Sequence, residues 1–224
     1  MGSRRGRLAW VVLAVSMLVS PLAAGAPKSR PSPSPTETPI DLDAPMDLPA
    51  NADGVDLNAV IEDAPTISES SAVGEGWKDS ALGVALPSPG PEWVRISPVP
   101  EAPGARAVFV HARGEKVRAL FAIGIDTAPE PKDPAGYAKR SFDSLSQLGF
   151  KILKKGPVTL GTRTGFAIAF ITGTGLRRYE QYYVPGPKGS LVVLTFQAPT
   201  AIFDAEVGEF RTAAKAIQTK EPGK

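Results

Sequence analysis

The sequence predicts an α+β domain, an antiparallel β-sheet flanked by two main α-helices, preceded by a disordered linker. Three observations carry this expectation. Period-two alternation of apolar residues recurs from Leu82 to Gln197, and two helical stripes interrupt and close it. The turns between successive strands are short, which requires antiparallel neighbours. Two amphipathic helices must then bury their stripes against the resulting sheet.

Residues 1–26 read as a secretory signal peptide. Arg4, Arg5 and Arg7 form the basic start, an apolar run interrupted by Ser16 follows, and Pro21 breaks it. Ala24-Gly25-Ala26 fits the small-residue cleavage pattern, and cleavage after Ala24 is the fallback because Pro27 follows the first site. The apolar run is short for a membrane span, so none is expected after cleavage. Residues 27–75 read as a disordered, acidic, Pro-rich linker. Between Pro31 and Trp77 there is no Lys or Arg and there are ten acids, and so little apolar surface cannot offset chain entropy. The rest of the chain is correspondingly basic. The linker is either a plain tether or a strip that contacts the basic domain or a basic partner.

Residues 76–218 form the expected domain, and 219–224 a disordered tail. Leu82, Val84 and Leu86 alternate before Pro87; Trp93, Val94 and Ile96 mark a second short extended piece. Residues 106–112 and 116–127 read as a hairpin, and the latter alternates most cleanly, through Val117, Ala119, Phe121, Ile123 and Ile125. Asp133-Pro134 supplies an N-cap and a first-turn proline. Ala138, Phe142, Leu145 and Leu148 then fall at helical spacing, with Gly149 at the C-terminal cap position. Residues 150–160 suggest a shorter strand, and 161–165 a turn. Strands follow at 165–173, 176–184 and 190–197, separated by Gly- and Pro-rich turns. A helix over 200–218 closes the chain, with Phe203, Val207, Phe210, Ala214 and Ile217 on one face.

The pattern resembles the PsbP-like superfamily over about residues 77–217. The resemblance rests on Gly83-Val-Ala-Leu-Pro87 followed by Pro91-Glu-Trp93, and on the mid-domain helix ending in Leu-Gly-Phe150. It rests also on the hairpin from Gly165-Phe to Tyr182-Tyr183, and on Leu191-Val-Val-Leu-Thr-Phe196 before the last helix. That superfamily includes an extrinsic subunit of photosystem II, a Ran-binding nuclear import factor and many exported bacterial proteins. The resemblance implies an antiparallel sheet flanked by helices and a binding or assembly role. The acidic Pro-rich linker departs from the photosynthetic members, and no motif here carries over their metal or photosystem contacts.

Residue chemistry narrows the function classes. The chain has no cysteine, which excludes disulfides, thiolate metal sites, catalytic thiols and a lipidated cysteine at the cleavage site. His111 is the only histidine; it lies on a strand, on the face of Phe109, and reads as a core-rim residue. There is no G-x-S-x-G nucleophile elbow. Gly173-Thr174-Gly175 lacks the third glycine of a phosphate loop, since Arg178 stands there, and it precedes a strand rather than a helix. Glu180 lies inside a strand and is expected to pair with Arg178 on the same face. No catalytic, cofactor-binding or metal-ligating residue is assigned, and no cofactor is expected.

Lys151, Lys154, Lys155, Arg177, Arg178, Tyr179 and Tyr183 form the candidate interaction surface, because Arg and Tyr favour interfaces and the lysines add positive charge. The expected function is that of a non-catalytic exported interaction or assembly protein of the cell envelope, periplasmic or secreted. Its partner would be an envelope protein or an anionic polymer or lipid, not nucleic acid. The alternative is a small-ligand or lipid-binding module with a pocket between sheet and helices.

Overall fold

The computed structural model describes residues 71–96, 105–113 and 116–220. The stretch read as a signal peptide, most of the stretch read as linker, and residues 221–224 lie outside the described residues. Strands β1 (Ser71–Val73), β4 (Trp93–Ile96), β5 (Ala105–Arg113), β6 (Lys116–Asp126), β7 (Lys151–Leu160), β8 (Arg163–Ile171), β9 (Arg177–Pro185) and β10 (Leu191–Pro199) form one sheet. Its order is β1-β4-β5-β6-β10-β9-β8-β7. Every adjacent pair is antiparallel. A small second sheet joins β2 (Trp77–Asp79), β3 (Val84–Leu86) and β11 (Gln218–Thr219) in the order β11-β3-β2. Helices α1 (Pro134–Gln147) and α2 (Phe203–Lys215) cover opposite faces of the large sheet.

Local chemistry explains the helix ends. The Asp133 side chain accepts from the Gly136 amide at 2.6 Å, and Pro134 occupies the first turn. At the other end Gly149 has φ +82°, the Phe150 amide donates to the Leu145 carbonyl, and the Gly149 amide donates to that of Ser146. That pairing is a Schellman cap, in which the left-handed residue is glycine because it has no Cβ to clash. Leu148 is therefore the cap rather than part of the stripe, and it is 61% exposed. Tyr137 is buried instead, with Ala138 and Leu145.

α2 places Phe203, Val207, Phe210 and Ala214 on the sheet, all buried. The Phe210 ring stacks on Tyr182 and Phe196 and meets Phe121 edge-on, with centroids 4.7–5.1 Å apart. The helix ends at Lys215, earlier than its stripe suggests, because Gln218 and Thr219 pair with Ala85 and Val84. The end of the domain is thus part of a sheet, not a free tail, and the Lys220 amide donates to the Gly83 carbonyl. At the other end, β1 pairs with β4 inside the stretch read as linker, so among the described residues the sheet begins at Ser71.

β7 has ten residues and is no shorter than its neighbours. It tolerates Pro157 because it is an edge strand, where a missing amide costs no ladder bond on the open side. The turn after it is only Gly161-Thr162, closed by the pair Leu160 and Arg163, so residues 163–165 are strand. Gly161 takes φ +59°, as the first central residue of a II′ hairpin turn requires. β10, central and covered on both faces, is buried along its whole length.

Candidate functional site

The residues expected to form one surface are distributed by the pleat. Tyr179 and Tyr183 lie on the α1 face of β9, 3% and 0% exposed, and pack with Phe170, Phe150 and Tyr137. They offer no contact surface. β9 is an interior strand with a helix over each face, so between its two end residues neither set of alternating side chains reaches water. Tyr182 lies on the other face, against Phe210. Arg178 is also buried, at 2%; its guanidinium lies 4.2 Å from the centre of the Phe203 ring and donates to Asp204 at 3.0 Å.

Of the remaining cations, the three lysines line the sheet's outer edge on β7, while Arg177 opens the interior strand β9. Lys151 is in register with Ile171 and Arg178, and Lys154 with Ala169 and Glu180, which puts both on the α2 side. A bulge between Ile152 and Lys154 shifts the register. Lys155, in register with Ile168 and Gln181, faces the α1 side, and its ammonium lies 4.6 Å from the centre of the Phe142 ring. Lys151 and Lys155 are exposed, Lys154 and Arg177 half-buried. The lysines therefore bracket the open edge of β7 from both sides instead of forming one flat patch.

A second polar constellation surrounds α2. His111 stands at the rim of the core, in register with Trp93 and stacked on it at 5.3 Å. Its Nδ1 lies 2.6 Å from buried Glu206, which also accepts from Arg118 Nε at 2.6 Å. Its Nε2 lies 3.4 Å from exposed Glu92. Trp93 donates through Nε1 to Glu209 at 2.6 Å. A histidine held by a buried carboxylate has half the geometry of an acid–base pair. Here carboxylates face both ring nitrogens, so the arrangement binds α2 to the sheet.

Glu180 likewise finds its cation on α2. Arg211 forks onto it, and the Tyr182 hydroxyl donates to it at 2.7 Å. The expected pairing with Arg178 gives way to this one because the helix delivers Arg211 directly over the strand. Glu206 was missed in the sequence, yet a signal was there. It falls between Phe203 and Phe210 on the buried stripe, a position where a carboxylate needs a partner across the interface.

All four tyrosines have raised phenol pKa values. Burial is the main cause in each, reinforced by the Asp126 carboxylate at Tyr137 and by Glu180 at Tyr182. Among the described residues, no group of His, Cys, Asp and Glu is arranged to hold a metal ion, and no helix is long and apolar enough to cross a membrane. The interface between sheet and α2 is filled, with Trp93, Phe121, Tyr182, Phe196 and Phe210 all at 0% exposure. That packing opposes a ligand pocket there. An open depression of about 490 Å³ lies elsewhere, beside the small sheet, lined by Trp77, Lys78, Leu86, Arg95 and Ala216 among others.

No protein-family model and no curated protein sequence matches the chain. Solved structures do. Cyanobacterial PsbP (CyanoP) from Synechocystis sp. PCC 6803 is 13% identical, with a TM-score of 0.50, and the match covers 70% of this chain and 97% of that one. LpqN of Mycobacterium tuberculosis, involved in cell envelope biogenesis, is 16% identical with a TM-score of 0.47, covering 72% of this chain and 92% of that one. With an antiparallel sheet between two helices and the first of these matches, the chain carries a PsbP-like fold.

Proposed function

We propose that this is an exported, non-catalytic protein of the cell envelope that holds an acidic partner segment along the basic edge of its sheet. The observation that carries this reading is the position of Lys151, Lys154 and Lys155 on β7, the edge strand of the described sheet. An edge strand offers unpaired backbone groups to a visiting extended segment. Lysines on such an edge repel a second copy of the same edge. The same charges attract a chain of opposite sign. The signal-like start of the sequence supports export.

Affinity capture from the native cell envelope at low and high salt tests this. The wild-type chain is expected to retain one stoichiometric protein at low salt and release it at high salt. The variant Lys151→Glu/Lys154→Glu/Lys155→Glu is expected to retain none. Unchanged retention by the variant would remove β7 from the function, and recovery of lipid or polymer alone would favour a lipid- or ligand-binding module.

A further inference from the structure

Half of one sheet face is buried in a cluster to which neither described helix contributes a residue. α1 packs on β7, β8 and β9. On the same face beyond β10, Val108, Val110, Leu120 and Ala122 form an apolar cluster whose described members all come from β4, β5 and β6. Their exposures are 5%, 4%, 6% and 1%. A single layer of aliphatic side chains standing on a sheet leaves its outer surface open to water. Burial to this degree needs a covering layer.

The floor of this region also holds an unanswered donor. Gln197 is in register with Leu120, which is in register with Val110. It is 2% exposed, and its Nε2 has no hydrogen-bond partner among the described residues. A buried amide N–H is rarely left unpaired. A backbone carbonyl of an extended segment passing overhead would satisfy it.

The chain enters the sheet beside this cluster. Ser71 pairs with Ile96, and Ile96 packs against the cluster. Upstream, Pro39-Ile40-Asp41-Leu42-Asp43 alternates apolar and acidic residues, the pattern of a strand with one dry face. The 27 residues between Asp43 and Ser71 reach up to about 90 Å when extended. Crossing the sheet takes only about 5 Å per strand. Residues 97–104, which join β4 to β5, offer only Val99 and Ala102 beside three prolines. We propose that residues 39–43 lie across the β4–β6 half of this face, with Ile40 and Leu42 turned onto Val108, Val110 and Leu120 and Asp41 and Asp43 turned to water. The N-terminal segment then closes the domain through apolar contact, and its acids give that face a negative outer surface.

The test uses the chain from Pro27 to its end. Because that chain has no cysteine, a nitroxide can be placed at one introduced site, Ala44→Cys. The label is expected to broaden the methyl signals of Val108, Val110 and Leu120 while leaving those of Val158 and Leu160 sharp. Adding Ile40→Asp/Leu42→Asp is expected to restore the broadened signals and to raise the fluorescence of a bound apolar dye severalfold. Asp41→Ser/Asp43→Ser and high salt are expected to leave the contact in place. Sharp Val108, Val110 and Leu120 signals in the otherwise unchanged labelled chain would overturn the proposal, even if the aspartate variant failed to fold. Broadening only from a label at Val99→Cys would overturn it in favour of residues 97–104. Loss of the contact in the serine variant would overturn the apolar basis.

Discussion

Arg211 of α2 forks onto Glu180 of β9, and the Glu180 side chain is wholly enclosed, 0% exposed against 12% for that of Arg211. The pair sits among Tyr182 and the aromatic rings beneath the helix, so neither charge can turn to water without lifting α2. Removing one partner from such a site strands the other. Arg211→Leu is therefore expected to lower the unfolding free energy by about 3–5 kcal/mol. Glu180→Leu/Arg211→Leu should recover most of that loss, since an apolar pair of similar volume needs no compensation. Denaturant midpoints of the single and double variants measure the coupling directly. A double variant as unstable as Arg211→Leu would show that packing rather than charge is at stake.

The tyrosines give the domain an alkaline limit. Burial, with help from nearby carboxylates at Tyr137 and Tyr182, raises all four phenol pKa values above the unfolded value of about 10. Above that pH the folded state holds more protons than the unfolded one, so stability falls as pH rises; below it the contribution is fully present. Phenolate absorbance of the native chain should stay near zero past the pH at which the same chain in denaturant has titrated. It should then appear together with loss of the fold. Gradual titration of two tyrosines in the folded state would place them at the surface.

The basic edge should be thermodynamically quiet. Lys151 and Lys155 are exposed, and among the described residues Lys155 lies over the Phe142 ring. Lys151→Glu/Lys155→Glu is expected to change the unfolding free energy by no more than about 1 kcal/mol. A thermal scan beside the capture assay then separates loss of binding from loss of fold.

Much of this architecture was legible because each signal was local. Asp133-Pro134, Gly149 and the alternation from Val117 to Ile125 state their roles within a few residues, and all three hold. The stripe from Phe203 to Ala214 is equally local. What was not legible depends on neighbours far away in sequence. The alternation of Leu82, Val84 and Leu86 marks β3, but β2 and β11 are three and two residues long, too short for periodicity, and exist because each pairs with β3. Tyr179 and Tyr183 alternate correctly, but whether their face meets water is decided by α1, which lies earlier in the chain. The same holds for Glu206 and Arg211, whose partners His111, Arg118 and Glu180 lie on strands placed only by the finished sheet.

Two glycines, replaced by the same residue, should move stability in opposite directions. Gly165 sits in β8 opposite the β9 backbone, and a Cβ there would drive into the Tyr183 carbonyl oxygen. Backbone atoms in the middle of a paired strand cannot step aside without breaking ladder bonds. Gly165→Ala is therefore expected to cost about 1–3 kcal/mol. Gly208 lies on the exposed side of α2, and a Cβ there meets nothing within 4 Å. A helical glycine gives up more backbone freedom on folding than alanine does, so Gly208→Ala should stabilise by about 0.5–1 kcal/mol. Paired denaturant titrations read both signs. A neutral Gly165→Ala would mean that β8 and β9 can part at Tyr183, and the close pairing that buries Tyr182 and Tyr183 on opposite faces would have to be redrawn.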